Sequence, residues 1–184
     1  VKASPILTER EQAALSGLGS YSIIDSAGEL NKVLKDIENF KGRTISLEIL
    51  TDGYDNDALT VAYSFSYEPK RAYFVSLNKE REEKLLTLKE YLQRGRLRVI
   101  AQDAKFMTKH LWKDGIENFE IVFDTMLASW LVDSNANVYS LEDLATRFFG
   151  ETLINLADIK EKDAKVSDVS EAILFRYSSE RADY

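Results

Sequence analysis

The chain has 184 residues, 45% of them hydrophobic, and a formal net charge of −7, so it can bury one sizeable core and is no bulk-charge binder of nucleic acid. The absence of cysteine excludes disulfides, thiolate zinc sites and a cysteine nucleophile, and two prolines with eight glycines argue against a low-complexity chain. No apolar run approaches the roughly 18 residues of a spanning helix, and VKASPILTER lacks the apolar stretch of a signal peptide, so a soluble domain of a reducing intracellular compartment is expected.

Residues 1–19, polar and carrying Pro5, Gly17 and Gly19, read as a linker or N-terminal arm, and residues 20–184 as the domain. Tyr21 to Asp25 reads as a short strand. Ser26 then caps a helix with the apolar set Leu30, Val33, Leu34 and Ile37. Ile45 to Leu50, Leu59 to Ser66 and Ala72 to Leu77 alternate or run apolar between turn signals, which predicts a three-stranded antiparallel meander. Glu80 to Gln93 is helical, with Leu85, Leu88 and Leu92 on one face. Leu97 to Ala101 is a strand, Asp103 to Trp112 a helix and Phe119 to Phe123 a strand. From Asp124 the pattern is helical, and Ser140 with Asp143 makes a capping-box pattern at the second of these helices. Gly150 to Val166 is charge-dense and reads as an exposed excursion. A last helix from near Ser167 still runs at Tyr184, which suggests a fragment of a longer protein. This order predicts an α/β domain: a mixed five-stranded sheet with helices on both faces.

Several of these segments carry a resemblance. Ser20 to Leu50, IVFDTMLASWLVDS (Ile121 to Ser134), VYSLEDLATRFFG (Val138 to Gly150) and FRYSSERADY (Phe175 to Tyr184) resemble the 3′→5′ exonuclease domain of bacterial DNA polymerase I. The resemblance implies the ribonuclease H-like fold of DnaQ-type exonucleases. It also implies four metal-binding acids, in the motifs Asp-x-Glu, Asn-x-x-x-Asp and Tyr-x-x-x-Asp. In TISLEILTDG the first pair falls on Glu48 and Leu50, two apart on a strand and so on one face; a one-residue shift gives Leu47 and Ile49, with no acid. In QDAKFMTK the asparagine position is Asp103 and the aspartate position Met107. In the last motif the tyrosine is Tyr177 and the aspartate position Arg181. The four acids thus become Glu48, Leu50, Met107 and Arg181.

Exonucleases of this class use two metal ions held by hard oxygen ligands. Leucine and methionine offer none. Arg181, four residues after Tyr177, shares its helical face, and its cation is expected to approach Glu48 and plug the cleft. The resemblance therefore implies a catalytically inactive domain with no cofactor. Its partner would be the polymerase domain of the same chain, and it would meet DNA through the parent protein in the bacterial cytoplasm, at the nucleoid. Two alternatives stand beside this: an active exonuclease that uses Mg²⁺ or Mn²⁺ in a site remodelled from Glu48 and Asp103, joined by Asp52 or Asp124, and a non-cleaving single-strand DNA-binding module.

Plainer readings of the same residues remain open at this level. Glu48 could face solvent, and Arg181 could be an exposed charge at a frayed end. Leu50 suits a buried strand, Met107 joins an apolar stripe with Ala104 and Leu111, and Tyr177 shares helical spacing with Val169 and Ile173. Asp124 and Asp103 suit helix caps. Asp52 to Asp57 lacks the glycine and glutamate of an EF-hand loop and reads as a turn. His110, the one histidine, reads as structural. Arg94, Arg96 and Arg98 read as a solvated edge, with phosphate contact as the alternative.

Overall fold

The computed structural model describes residues 20–184 apart from 41, 54, 56, 94, 162 and 163. The N-terminal arm and Arg94 lie outside the described residues. Strands β1 (Ser20–Ile23), β2 (Thr44–Thr51), β3 (Thr60–Glu68), β4 (Arg71–Ser76), β5 (Arg98–Ala101) and β6 (Glu120–Asp124) form one sheet in the order β1-β4-β3-β2-β5-β6. Helices α1 (Ala27–Glu38), α2 (Arg81–Leu92), α3 (Ala104–Lys113), α4 (Thr125–Val132), α5 (Leu141–Phe149), α6 (Leu156–Ile159) and α7 (Glu171–Asp183), with a short 3-10 helix at Val166–Asp168, complete the described elements.

The sheet is mixed. β2, β3 and β4 form the expected antiparallel meander, while β2–β5, β5–β6 and β1–β4 pair in parallel. It has six strands, not five. The Tyr21 strand, too short to be assigned a sheet partner from its own residues, lies along β4 with Tyr21 opposite Ala72.

Alternation along β2 sorts the two faces. Ile45, Leu47 and Ile49 join the main core with Leu30, Leu34, Leu88 and Leu111, under helices α1, α2 and α3. Leu50 joins a second core with Ala62, Phe74, Leu174 and Phe175, under α7. Helices therefore cover both faces, which is why no residue of β2 or β3 is exposed. Ser64 and Ser178, both fully buried, satisfy each other across the second core at 2.8 Å.

Ser26 caps α1 by accepting from the Glu29 amide, and Leu30, Leu34 and Ile37 are its buried stripe. The 150–166 segment is less exposed than its charge suggests: it contains α6, and Leu153 and Val166 are buried. His110 is fully buried against Phe106, its ring 4.4 Å away, and neither ring nitrogen has a partner among the described residues. Burial, with Lys109 and Lys113 nearby, lowers its pKa and keeps the ring neutral, so it serves as core.

Candidate functional site: a cleft closed by an internal cation

The three parallel strands β2, β5 and β6 deliver Leu50 to Gly53, Gln102 with Asp103, and Met126 to one cleft of about 620 Å³. Crevices at the carboxyl ends of parallel strands are the usual binding places of such sheets. β2 breaks register between Leu50 and Thr51 at this edge, as bulges beside sites often do. Tyr177 and Arg181 of α7 form one wall, and Lys160, Ala164, Lys165 and Val166 form part of the rim. All six residues singled out by the motifs line this cleft: Glu48, Leu50, Asp103, Met107, Tyr177 and Arg181.

Glu48 does not face solvent, and Arg181 is not a frayed surface charge. The Arg181 Nε donates to Glu48 Oε1 at 2.8 Å, and the two side chains are 13% and 14% exposed. The Arg181 Nη1 donates to Glu142 Oε1 from the first turn of α5. The guanidinium also lies 5.4 Å from the Tyr177 ring centroid. One cation thus ties β2, α5 and α7 together through charge-assisted hydrogen bonds. Burial pushes the Glu48 carboxyl up, and Arg181 pulls it down only in part, with Glu142 adding to the rise. Burial opposes the charge on Arg181 too, but Glu48, Tyr177 and Glu142 outweigh it, so Arg181 is held more firmly as a cation than a free arginine.

Leu50 and Met107 are 4% and 2% exposed and act as packing. Met107 belongs to the main core with Leu111, as the apolar stripe required. The remaining carboxylates of the region hold backbone. Asp103 caps α3 by accepting from Phe106 N at 3.0 Å and takes a left-handed conformation, φ 62°, which aspartate tolerates better than most side chains. Asp124 accepts from Met126 N and Leu127 N at the start of α4 and from Ala104 N at the start of α3. Asp52 accepts from the amide and hydroxyl of Ser167, both at 3.1 Å. Among the described residues, no three or more His, Cys, Asp or Glu side chains converge as a metal-binding group would. Arg96 and Arg98 are not free for phosphate: Arg96 pairs with Glu38 and Glu90, and Arg98 donates to the Gly42 carbonyl.

Glu142 is the site residue that the sequence conceals. An acid in a helix's first turn is already accounted for by the helix dipole. Nothing in LEDL shows that it also faces a cation 39 residues away.

The family described as "DNA polymerase I, ribonuclease H-like domain" matches residues 45–184. DNA polymerase I of Borreliella burgdorferi is 28% identical over 171 residues, which cover 89% of this chain and 18% of that protein. DNA polymerase I of Pseudomonas aeruginosa is 28% identical over 155 residues, covering 78% of this chain and 17% of that protein. The chain therefore spans less than a fifth of these curated relatives. In fold it is similar to Trypanosoma brucei RNase D, with a TM-score of 0.71 at 11% identity over 92% of this chain and 63% of that one. It is also similar to part of a Pol1 structure from M. smegmatis in complex with DNA primer-template and dNTP. There the TM-score is 0.65 at 19% identity, over 88% of this chain and 26% of that one.

Proposed function

Because the chain belongs to the DNA polymerase I ribonuclease H-like domain family, we propose that it is an exonuclease-like domain that has lost hydrolysis and supports the polymerase domain of a bacterial DNA polymerase I in DNA replication and repair. In this reading it meets DNA only through that parent protein, in the cytoplasm at the nucleoid, and residues 20–184 are the domain. The observation that carries it is the position of Arg181 between Glu48 and Glu142 in the cleft. A divalent pair needs several hard oxygen donors at one point. At the four motif positions stand a carboxylate already bonded to a cation, a leucine, a methionine and that cation itself. These residues do not fit such ions.

The reading of a remodelled, active site requires other acids to converge. Asp103 and Asp124 are engaged as helix caps and Asp52 holds Ser167, which weighs against it.

The test is hydrolysis of end-labelled single-stranded DNA in Mg²⁺ or Mn²⁺, with Glu48→Ala and Asp103→Ala alongside. The expected outcome is no cleavage above either variant. Metal-dependent cleavage that disappears in one of them would overturn the loss of hydrolysis. Salt-sensitive retention of the strand without cleavage would favour the single-strand binding module instead.

A further inference from the structure

At about 620 Å³ the cleft falls within the size range of small-molecule sites. Leu50, Met107, Val166 and Tyr177 line it as buried side chains, and Phe106 and Met126 as partly buried ones. Two thioethers and two aromatic rings make this lining soft and adaptable, and thioether sulfur packs favourably at ring edges. The polar groups around it are spent on the chain itself. Thr51 Oγ1 donates to the Gly53 carbonyl at 2.6 Å. Gln102 Nε2 donates to the Tyr139 carbonyl at 2.7 Å, and its Oε1 accepts from the Thr125 hydroxyl. Ser140 Oγ accepts from the Asp143 amide, Asp52 holds Ser167 and Asp103 caps α3. Arg181 is held by Glu48 and Glu142, and Lys160 at the rim donates to the carbonyls of Glu161 and Ala164. Lys165 is exposed at the mouth, where water screens its charge.

We infer that this cleft is a binding site for an uncharged, compact aromatic small molecule and not for a nucleotide. The inference rests on the loss of metal binding proposed above and names what the altered cleft accepts. A phosphate that enters must displace an existing hydrogen bond and face the carboxylates of Asp52 and Asp103, with no metal ion to offset them. A neutral ring breaks none of those bonds. It trades water for contact with Leu50, Met107, Met126 and the two aromatic side chains, which is favourable in proportion to the apolar area covered.

The test titrates the chain with indole and, in parallel, with indoxyl phosphate and thymidine 5′-monophosphate, while backbone amide resonances are followed. The expected result is saturable shifts at Leu50, Met107, Met126 and Tyr177 with indole, and binding of both phosphates weaker by about tenfold or more. Met126→Glu places a carboxylate in the cleft at a position outside both main cores and in the first turn of α4, where an acid suits the helix. It should weaken indole by about tenfold or more, while the amides of β3 and β4 keep their positions and so report an intact fold. Equal or tighter binding of either phosphate would overturn the inference and assign the cleft to nucleotides. Indole shifts that are absent or spread over the surface would overturn it as well, as would an unchanged indole affinity in Met126→Glu. Mg²⁺ alone is added as a separate arm. Cleft shifts on its addition would remove the loss of metal binding and this inference with it, whereas failure of indole without a response to Mg²⁺ would overturn this inference and leave that reading standing.

Discussion

Arg181 makes two charge-assisted bonds and one ring contact in a place only about an eighth exposed, so its removal changes more than one pair. Arg181→Met would leave Glu48 and Glu142 near each other without a counter-charge. The expected loss at neutral pH is about 3 kcal/mol, the low end for breaking a buried pair, because water reaches the rim. The sign with pH follows from the raised Glu48 pKa. A carboxyl whose folded pKa lies above its unfolded value adds stability below the unfolded pKa and loses it as pH rises through the folded pKa. Urea unfolding of Arg181→Met should therefore give its highest midpoint in acid and a falling midpoint toward neutrality. A variant as stable as the parent at neutral pH would show that the cation is dispensable. Glu48 and Arg181 were legible from the sequence only through motif spacing, whereas Glu142 was hidden because its partner, Arg181, lies 39 residues further along the chain on another helix.

At the scale of elements, Asp124 decides how two helices begin. Its Oδ1 serves two amides of α4 and its Oδ2 one of α3, so a single side chain joins the starts of both helices. Asp124→Ala is expected to lower stability by about 1–2 kcal/mol, and Asp124→Asn, which keeps one acceptor, should recover part of it. Denaturant midpoints of the two variants check this. Equal midpoints for the parent and Asp124→Ala would mean that water caps these helices as well. The caps at Ser26, Asp103, Asp124 and Ser140 could be read from residue type and position, because capping is local chemistry. The sheet position of the short strand at Tyr21 could not. SYSI alternates over only four residues, and its place beside β4 depends on a partner some 50 positions away. The charged 150–166 segment misled for a related reason: Leu153, Ile154, Leu156, Ile159 and Val166 are scattered among charges, yet Leu153 and Val166 are buried and the other three pack against the second core.

Across the whole molecule, the last turn of α7 is fastened to the opposite edge of the sheet. Asp183 accepts from the Tyr21 hydroxyl and from the Lys70 amide, both at 2.7 Å. Burial and Asp183 push the Tyr21 hydroxyl pKa up, so it remains a donor at any ordinary pH. Asp183→Ala should cost about 1 kcal/mol and speed amide exchange locally in β1 and the end of α7, leaving β2 and β3 protected. Exchange that rose equally everywhere would mean that this corner is part of the global unfolding unit. The same bond has a consequence for architecture. Tyr21 and Asp183 are 162 positions apart in sequence and touch in space. Spliced into a larger polypeptide at these two points, the domain would hang like a bead on a closed loop. Its insertion or excision would barely alter the span between the flanking pieces, and this is the geometry that lets a module be gained or lost without rebuilding its host.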